Sequence, residues 1–126
     1  MRRMILASVI ILLIVTLVAF HLIKIHRICD EIIIKSSEVF IAYDADDWDK
    51  IYTETREISD IWQKNRFWST LTLPTAQIDE IEISLEQSIR YAELEAKPDF
   101  IGEFKMFYML VEHIPRQEGL SIEELF

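Results

Sequence analysis

Residues Met4 to Phe20, MILASVIILLIVTLVAF, contain no charged side chain. With Leu22, Ile23 and Ile25 the apolar stretch approaches 22 residues, interrupted only by His21 and Lys24. A helix rises about 1.5 Å per residue, so a stretch of this length crosses a hydrocarbon core of roughly 30 Å. Three explanations compete: a retained anchor, a cleaved export signal, and a buried core helix. Arg2 and Arg3 would suit the basic start of an export signal. Cleaved signals, however, have shorter apolar runs and small residues at the cut. Val18, Ala19, Phe20 and His21 offer no such pattern, and His26, Arg27 and Ile28 before Cys29 are not a lipoprotein context. The expectation is a transmembrane anchor over residues 1–25, held by membrane lipid, followed by a domain over residues 26–126.

Orientation follows less directly. Arg2, Arg3 and the amino terminus lie before the span, and Lys24, Arg27 and Lys35 after it, so the positive-inside count is close to even. A chain that begins like an export signal usually exports its C-terminal domain. The expected arrangement is a cell-membrane protein with a cytoplasmic N-terminus and an extracytoplasmic C-terminal domain.

That domain is strongly acidic. All 22 Asp and Glu residues lie after residue 28, against 9 Lys and Arg in the same stretch, a formal charge of −13. Nucleic acid requires a basic face and is not an expected partner. Nor would such a domain lie flat on anionic lipid. A single cysteine, Cys29, excludes an internal disulfide and leaves either a passive thiol or a bridge across a parallel dimer.

Two glycines and three prolines in 126 residues, with 51% hydrophobic residues, indicate an all-α fold. Ile25, Ile28, Ile32 and Val39 continue a heptad-like seam beyond the span, with no Gly or Pro between. One helix from about Met4 to about Tyr43 is predicted. Trp48, Ile51, Tyr52, Thr55, Ile58, Ser59 and Trp62 mark the apolar stripe of a second helix, ending between Trp68 and Leu73. A third, Ala76 to Lys97, carries Ile78, Ile81, Leu85, Ser88, Ile89 and Ala92. Thr75 would cap it, with Asp79, Glu80 and Glu82 at the positive end of its dipole. A fourth, Pro98 to Ile114, presents Phe100, Phe104, Phe107, Tyr108, Val111 and Ile114, widened by Met106, Met109 and Leu110, with Pro115 as its stop. Ser121 and Glu124 form a capping-box pattern in a short tail that would dock through Leu120, Ile122, Leu125 and Phe126. The predicted architecture is an N-terminal transmembrane helix continuing into a small antiparallel up-down bundle, about four helices in all.

Chemical motifs are sparse. Asp44 to Asp49, DADDWD, places four carboxylates in six positions. An EF-hand loop needs an oxygen ligand at position 5, Gly at 6 and Glu at 12. Counted from Asp44, those positions are Trp48, Asp49 and Thr55. As a helix start the stretch works: Asp46 or Asp47 can cap the free amides and Trp48 opens the apolar stripe. The three histidines, His21, His26 and His113, stand in no metal-binding spacing, and HExxH, CxxC, GxSxG and phosphate-loop motifs do not occur. No catalytic residue, metal site or cofactor is assigned, and an enzyme is not expected. Trp48 and Trp62, two heptads apart, should face the core. Trp68, beside Arg66 and Phe67, suits an exposed contact or a membrane-surface anchor.

The order of these segments resembles a family of short membrane-anchored proteins from spore-forming Gram-positive bacteria, domain of unknown function 4363. The resemblance rests on the basic start and anchor, on DDWDKIYTETREISDIW, on QIDEIEISLEQSIRYAE and on LVEHIPRQEGLSIEELF. Members often carry a His a few residues before the Ile-Asp pair, where this chain has Thr75. They tend to end in an Asn-Ile-Leu-like tripeptide, where this chain has Glu124, Leu125 and Phe126. The missing His fits a structural role better than a catalytic one. Members tend to be encoded beside multi-pass membrane proteins, so the resemblance implies an accessory role in a membrane complex of the envelope or spore.

Two functional readings follow. One is a non-catalytic interaction module serving a multi-pass membrane protein, with Trp68, Asp79, Glu80, Glu82, Leu125 and Phe126 as candidate contacts. The other is a small sensing or binding domain for cations or an envelope ligand. Homodimerisation through the stalk is compatible with both.

Overall fold

The computed structural model describes the backbone of residues 1–71 and 73–125, and side chains as far as Ile114, Thr72 excepted. It contains five helices and, among the described residues, no strand: α1 (Arg2–Asp44), α2 (Trp48–Lys64), α3 (Arg66–Thr70), α4 (Thr75–Glu93) and α5 (Lys97–Leu125). The all-α expectation holds. Helices α1, α2, α4 and α5 pack in a ring, each against its two neighbours, while among the described residues no close backbone approach joins α1 to α4 or α2 to α5. Residues 45–47 and 94–96 are short links that force antiparallel neighbours.

α1 is unbroken over 43 residues, about 65 Å at the usual helical rise. Its two halves differ. Residues 1–20 are exposed on every side. From Ile25 onward one stripe is buried: Ile25, Ile28, Cys29, Ile32, Ser36, Val39 and Ala42. The seam read from the heptad pattern therefore faces the core. Cys29 is buried within it, so a bridge between folded copies through this thiol is withdrawn.

The core stripes of the other helices also follow the sequence pattern. Ile51, Thr55, Ile58 and Trp62 are buried on α2, and Ile78, Ile81, Ser84, Leu85, Ser88 and Ala92 on α4. From α5 come Phe100, Phe104, Phe107, Val111 and Ile114. Phe100 stacks on Phe104 at a 5.4 Å ring separation, and Phe40 of α1 meets Phe104 edge-on at 5.2 Å. Both arrangements suit the quadrupoles of the rings. The buried hydroxyls of Ser36, Thr55 and Ser88 each donate to the carbonyl one turn earlier, so none is buried without a partner.

Several boundaries differ from expectation. α2 stops at Lys64 because the Asn65 side chain donates to the Ile61 carbonyl at 2.8 Å and turns the chain. The residues after it form the separate turn α3. Pro74, not Thr75, is the N-cap residue of α4, and Thr75 is already helical. No acid lies in the first turn of α4, so Asp79, Glu80 and Glu82 sit past the strongest part of its dipole. Met106 and Met109 are exposed instead of widening the buried stripe. α5 continues through Pro115 to Leu125. A proline removes one backbone donor, but burial of Phe107, Val111 and Ile114 fixes the preceding turns, so loss of one bond need not end the helix. Ser121 accordingly lies inside α5 and starts no new helix. The docking expected for Leu120, Ile122, Leu125 and Phe126 lies outside the described side chains.

Candidate functional site

The end of the bundle remote from the apolar half of α1 is where DADDWD lies. Both turns here are Schellman closures. Asp46 (φ 54°) donates its amide to the Tyr43 carbonyl, and the Asp47 amide reaches Ala42. Glu95 (φ 52°) and Ala96 repeat the pattern on Ala92 and Tyr91. The left-handed position usually held by glycine is filled by an acid in each turn. The Asp46 carboxylate accepts from Lys97 Nζ at 2.6 Å, tying one turn to the other, and Lys97 also stands 5.1 Å from the Tyr43 ring centre. The Asp47 side chain accepts from the Lys50 amide at 3.3 Å and caps α2. Two of the four carboxylates thus have structural partners. Among the described residues, no group of three His, Cys, Asp or Glu converges as a metal would require.

On the α1–α2 seam, Lys35 bonds Glu57 at 2.7 Å and lies 3.6 Å from Glu54. The hydrogen bond that Lys35 donates to Glu57, outweighing desolvation, holds the lysine above its ordinary value. Burial, and then the neighbouring carboxyl of Glu38, push Glu54 above the ordinary carboxylate range. The seam is a polar clasp between two helices.

The opposite end adjoins the apolar half of α1. Here the Trp62 indole donates to Glu82 Oε1 at 3.1 Å, and Arg66 Nε binds the same oxygen. Glu82 therefore clasps α2, α3 and α4 together through one carboxylate. Trp68 is half-buried on α1: its ring lies 6.0 Å from Phe20 and 5.7 Å from His21, with Lys24 Nζ 4.8 Å from its centre. The turn at Asn65 makes this contact, since it redirects the chain toward the point where α1 leaves the bundle. Phe67 and Leu71 remain exposed beside it.

The residues singled out from sequence are thus divided. Trp68 and Glu82 meet the bundle's base, with Glu82 engaged internally. Asp79 and Glu80 are exposed on α4. Leu125 and Phe126 lie outside the described side chains. Trp62 is buried and Trp48 half-buried against Phe100, as their spacing predicts. Sequence reasoning missed the groove between α4 and α5, which Ile83, Met106 and Leu110 line together with Glu80, Ser84, Gln87 and Glu103. Ile83 and Met106 are 54% and 56% exposed. The available signal was their position off the core stripe of each helix.

The arrangement defines a helical bundle carried on a long apolar helix, with no assembled reaction centre among the described residues. The chain matches the family Domain of unknown function (DUF4363) over residues 19–125 and belongs to that family. Comparison with curated proteins and with solved structures gives no match.

Proposed function

We propose that the protein is a non-catalytic, membrane-anchored interaction module. It serves as an accessory subunit of a multi-pass membrane protein in a cell-envelope or spore-related complex. The supporting observation is the continuity of α1. Its first 20 residues expose apolar side chains in every direction, and the same helix becomes a wall of the bundle without a break. An all-round apolar surface is unsuited to water and suited to lipid. With that half in the membrane, N-terminus inside, the bundle stands at a fixed height outside the cell. The α4–α5 groove then faces sideways, toward any neighbour in the same membrane. A lining that combines apolar side chains with two carboxylates suits a partner loop carrying apolar and basic side chains.

The test is cross-linking in native membranes, purification of the tagged full-length protein and mass spectrometry. A stoichiometric multi-pass partner is expected. Ile83→Glu with Met106→Glu should abolish its recovery while helicity is unchanged, because both side chains are exposed. Recovery of the protein alone, or only with itself, would overturn the reading.

A further inference from the structure

At the base of the bundle, a cleft of about 400 Å³ lies between α1 and the C-terminal end of α2. Three cations line it: Lys24 and Arg27 from α1, and Lys64 from α2. Glu31 is the one carboxylate in the lining. Among the described residues no ion pair engages any of the three cations, although the domain as a whole is strongly acidic. The lower edge is apolar: Phe20 and Ile23, 55% and 61% exposed, belong to the part of α1 that precedes the first buried residue, Ile25. The cleft therefore has a basic upper wall and an apolar lower lip, at the level where α1 changes from exposed to packed.

We infer that this cleft holds the headgroup phosphate of an anionic membrane phospholipid, with Lys24, Arg27 and Lys64 on the phosphate and Phe20 and Ile23 beside the upper acyl chain. The inference rests on the membrane placement of α1 proposed above. Two features select a lipid. The basic wall complements a phosphate, and the apolar lip is continuous with the stretch of α1 that would contact acyl chains. Glu31 lies in the lining, and Asp30 and Asp60 stand three and four residues from Arg27 and Lys64, but the lining itself holds three cations against one carboxylate. The acidic turn at Asp44 to Asp49 is about 30 Å along α1 from Lys24, several times the screening length of about 8 Å at physiological salt. The site would fix the rotation and depth of the bundle at the membrane surface, which a featureless apolar helix cannot do alone. Trp68, half-buried against Phe20 and Lys24, would reinforce that depth from α3.

The experiment uses the full-length protein reconstituted in vesicles of phosphatidylcholine, with and without phosphatidylglycerol. Flotation reports insertion. Native mass spectrometry of the protein extracted in mild detergent reports retained lipid. One phosphatidylglycerol per chain is expected, preferred over phosphatidylcholine on the order of tenfold or more. The preference should fall to near unity in the triple variant Lys24→Gln, Arg27→Gln, Lys64→Gln, which should still float. Lys64→Gln alone, an exposed change outside the apolar stretch, should reduce it partly. Flotation without lipid preference, or a preference that survives the triple variant, overturns the lipid site and leaves the anchor intact. Failure to float overturns the anchor and the site together.

Discussion

The two halves of α1 are both rich in isoleucine and meet opposite fates. Between Met4 and Phe20 the apolar side chains point everywhere and remain exposed. Between Ile25 and Ala42 they recur on one stripe and that stripe is buried. Between Ile25 and Ala42 charge enters, at Arg27, Asp30, Glu31, Lys35 and Glu38, and apolar residues off the stripe, Ile34 and Ile41, stay exposed there. The comparison teaches that periodicity, set against charge on the remaining faces, decides whether an apolar helix seeks a neighbour or a bilayer.

The comparison is broken most directly by truncating one side chain from each half. Ile32→Ala, at a site 1% exposed, should cost the bundle about 2–5 kcal/mol in denaturant unfolding of the detergent-solubilised protein. Leu12→Ala, 67% exposed, should leave that transition within about 0.5 kcal/mol of wild type. Equal costs would mean that the first half also belongs to the folded core.

The junction of the halves offers a smaller test. Glu82→Ala removes the acceptor of the Trp62 indole and the partner of Arg66, which joins α3 to the bundle beside α1. A loss of about 1 kcal/mol is expected, the lower part of the range for an orphaned donor because Glu82 is partly reached by water. No change in unfolding would show that the base is held by apolar contact alone.

A gain sharpens the picture of the packed half. Gly102 lies inside α5, and a Cβ built there meets nothing within 4 Å. Gly102→Ala should stabilise by about 0.5–1 kcal/mol through helix propensity. A destabilised variant would mean that the surface at Gly102 is occupied by something that a methyl group displaces.

The smallest effect concerns the clasp on the second half of α1. Glu54 is raised above its unfolded value, chiefly by burial. A raised carboxyl weakens the fold while it is ionised, above its folded pKa. Stability is regained as pH falls through that value toward the unfolded one. Glu54→Gln should therefore raise Tm slightly at pH 7, and the gap from wild type should close as pH falls. A gap that widens on acidification would refute the assigned direction. Lys35 keeps its bond to Glu57 in this variant.

Much of this fold was legible in the residues alone. The stripes on α2 and α4, the long first helix and the inward-facing pair Trp48 and Trp62 follow from spacing, because one face of each helix must leave water. A cap at Asp46 or Asp47 follows from their place before a stripe, and the structure uses Asp47. The break at Asn65 was not legible, since a side chain closing onto the preceding carbonyl competes with continued helix by a small margin. The exposure of Met106 and Met109 was equally hidden, because an all-apolar run on α5 does not say which edge meets a neighbour.

The sequence by itself determined the class of the protein: an apolar helix of membrane-crossing length, an acidic all-α domain and the residues of its core. These are consequences of composition and period, which local physics reads directly. Only the tertiary structure decided the rest. It put Glu82 between Trp62 and Arg66, made Asp46 a latch for Lys97, and gathered Lys24, Arg27 and Lys64 around one cleft. Those partners are far apart in the chain, and only the order in which helices close the ring brings them within reach of one another.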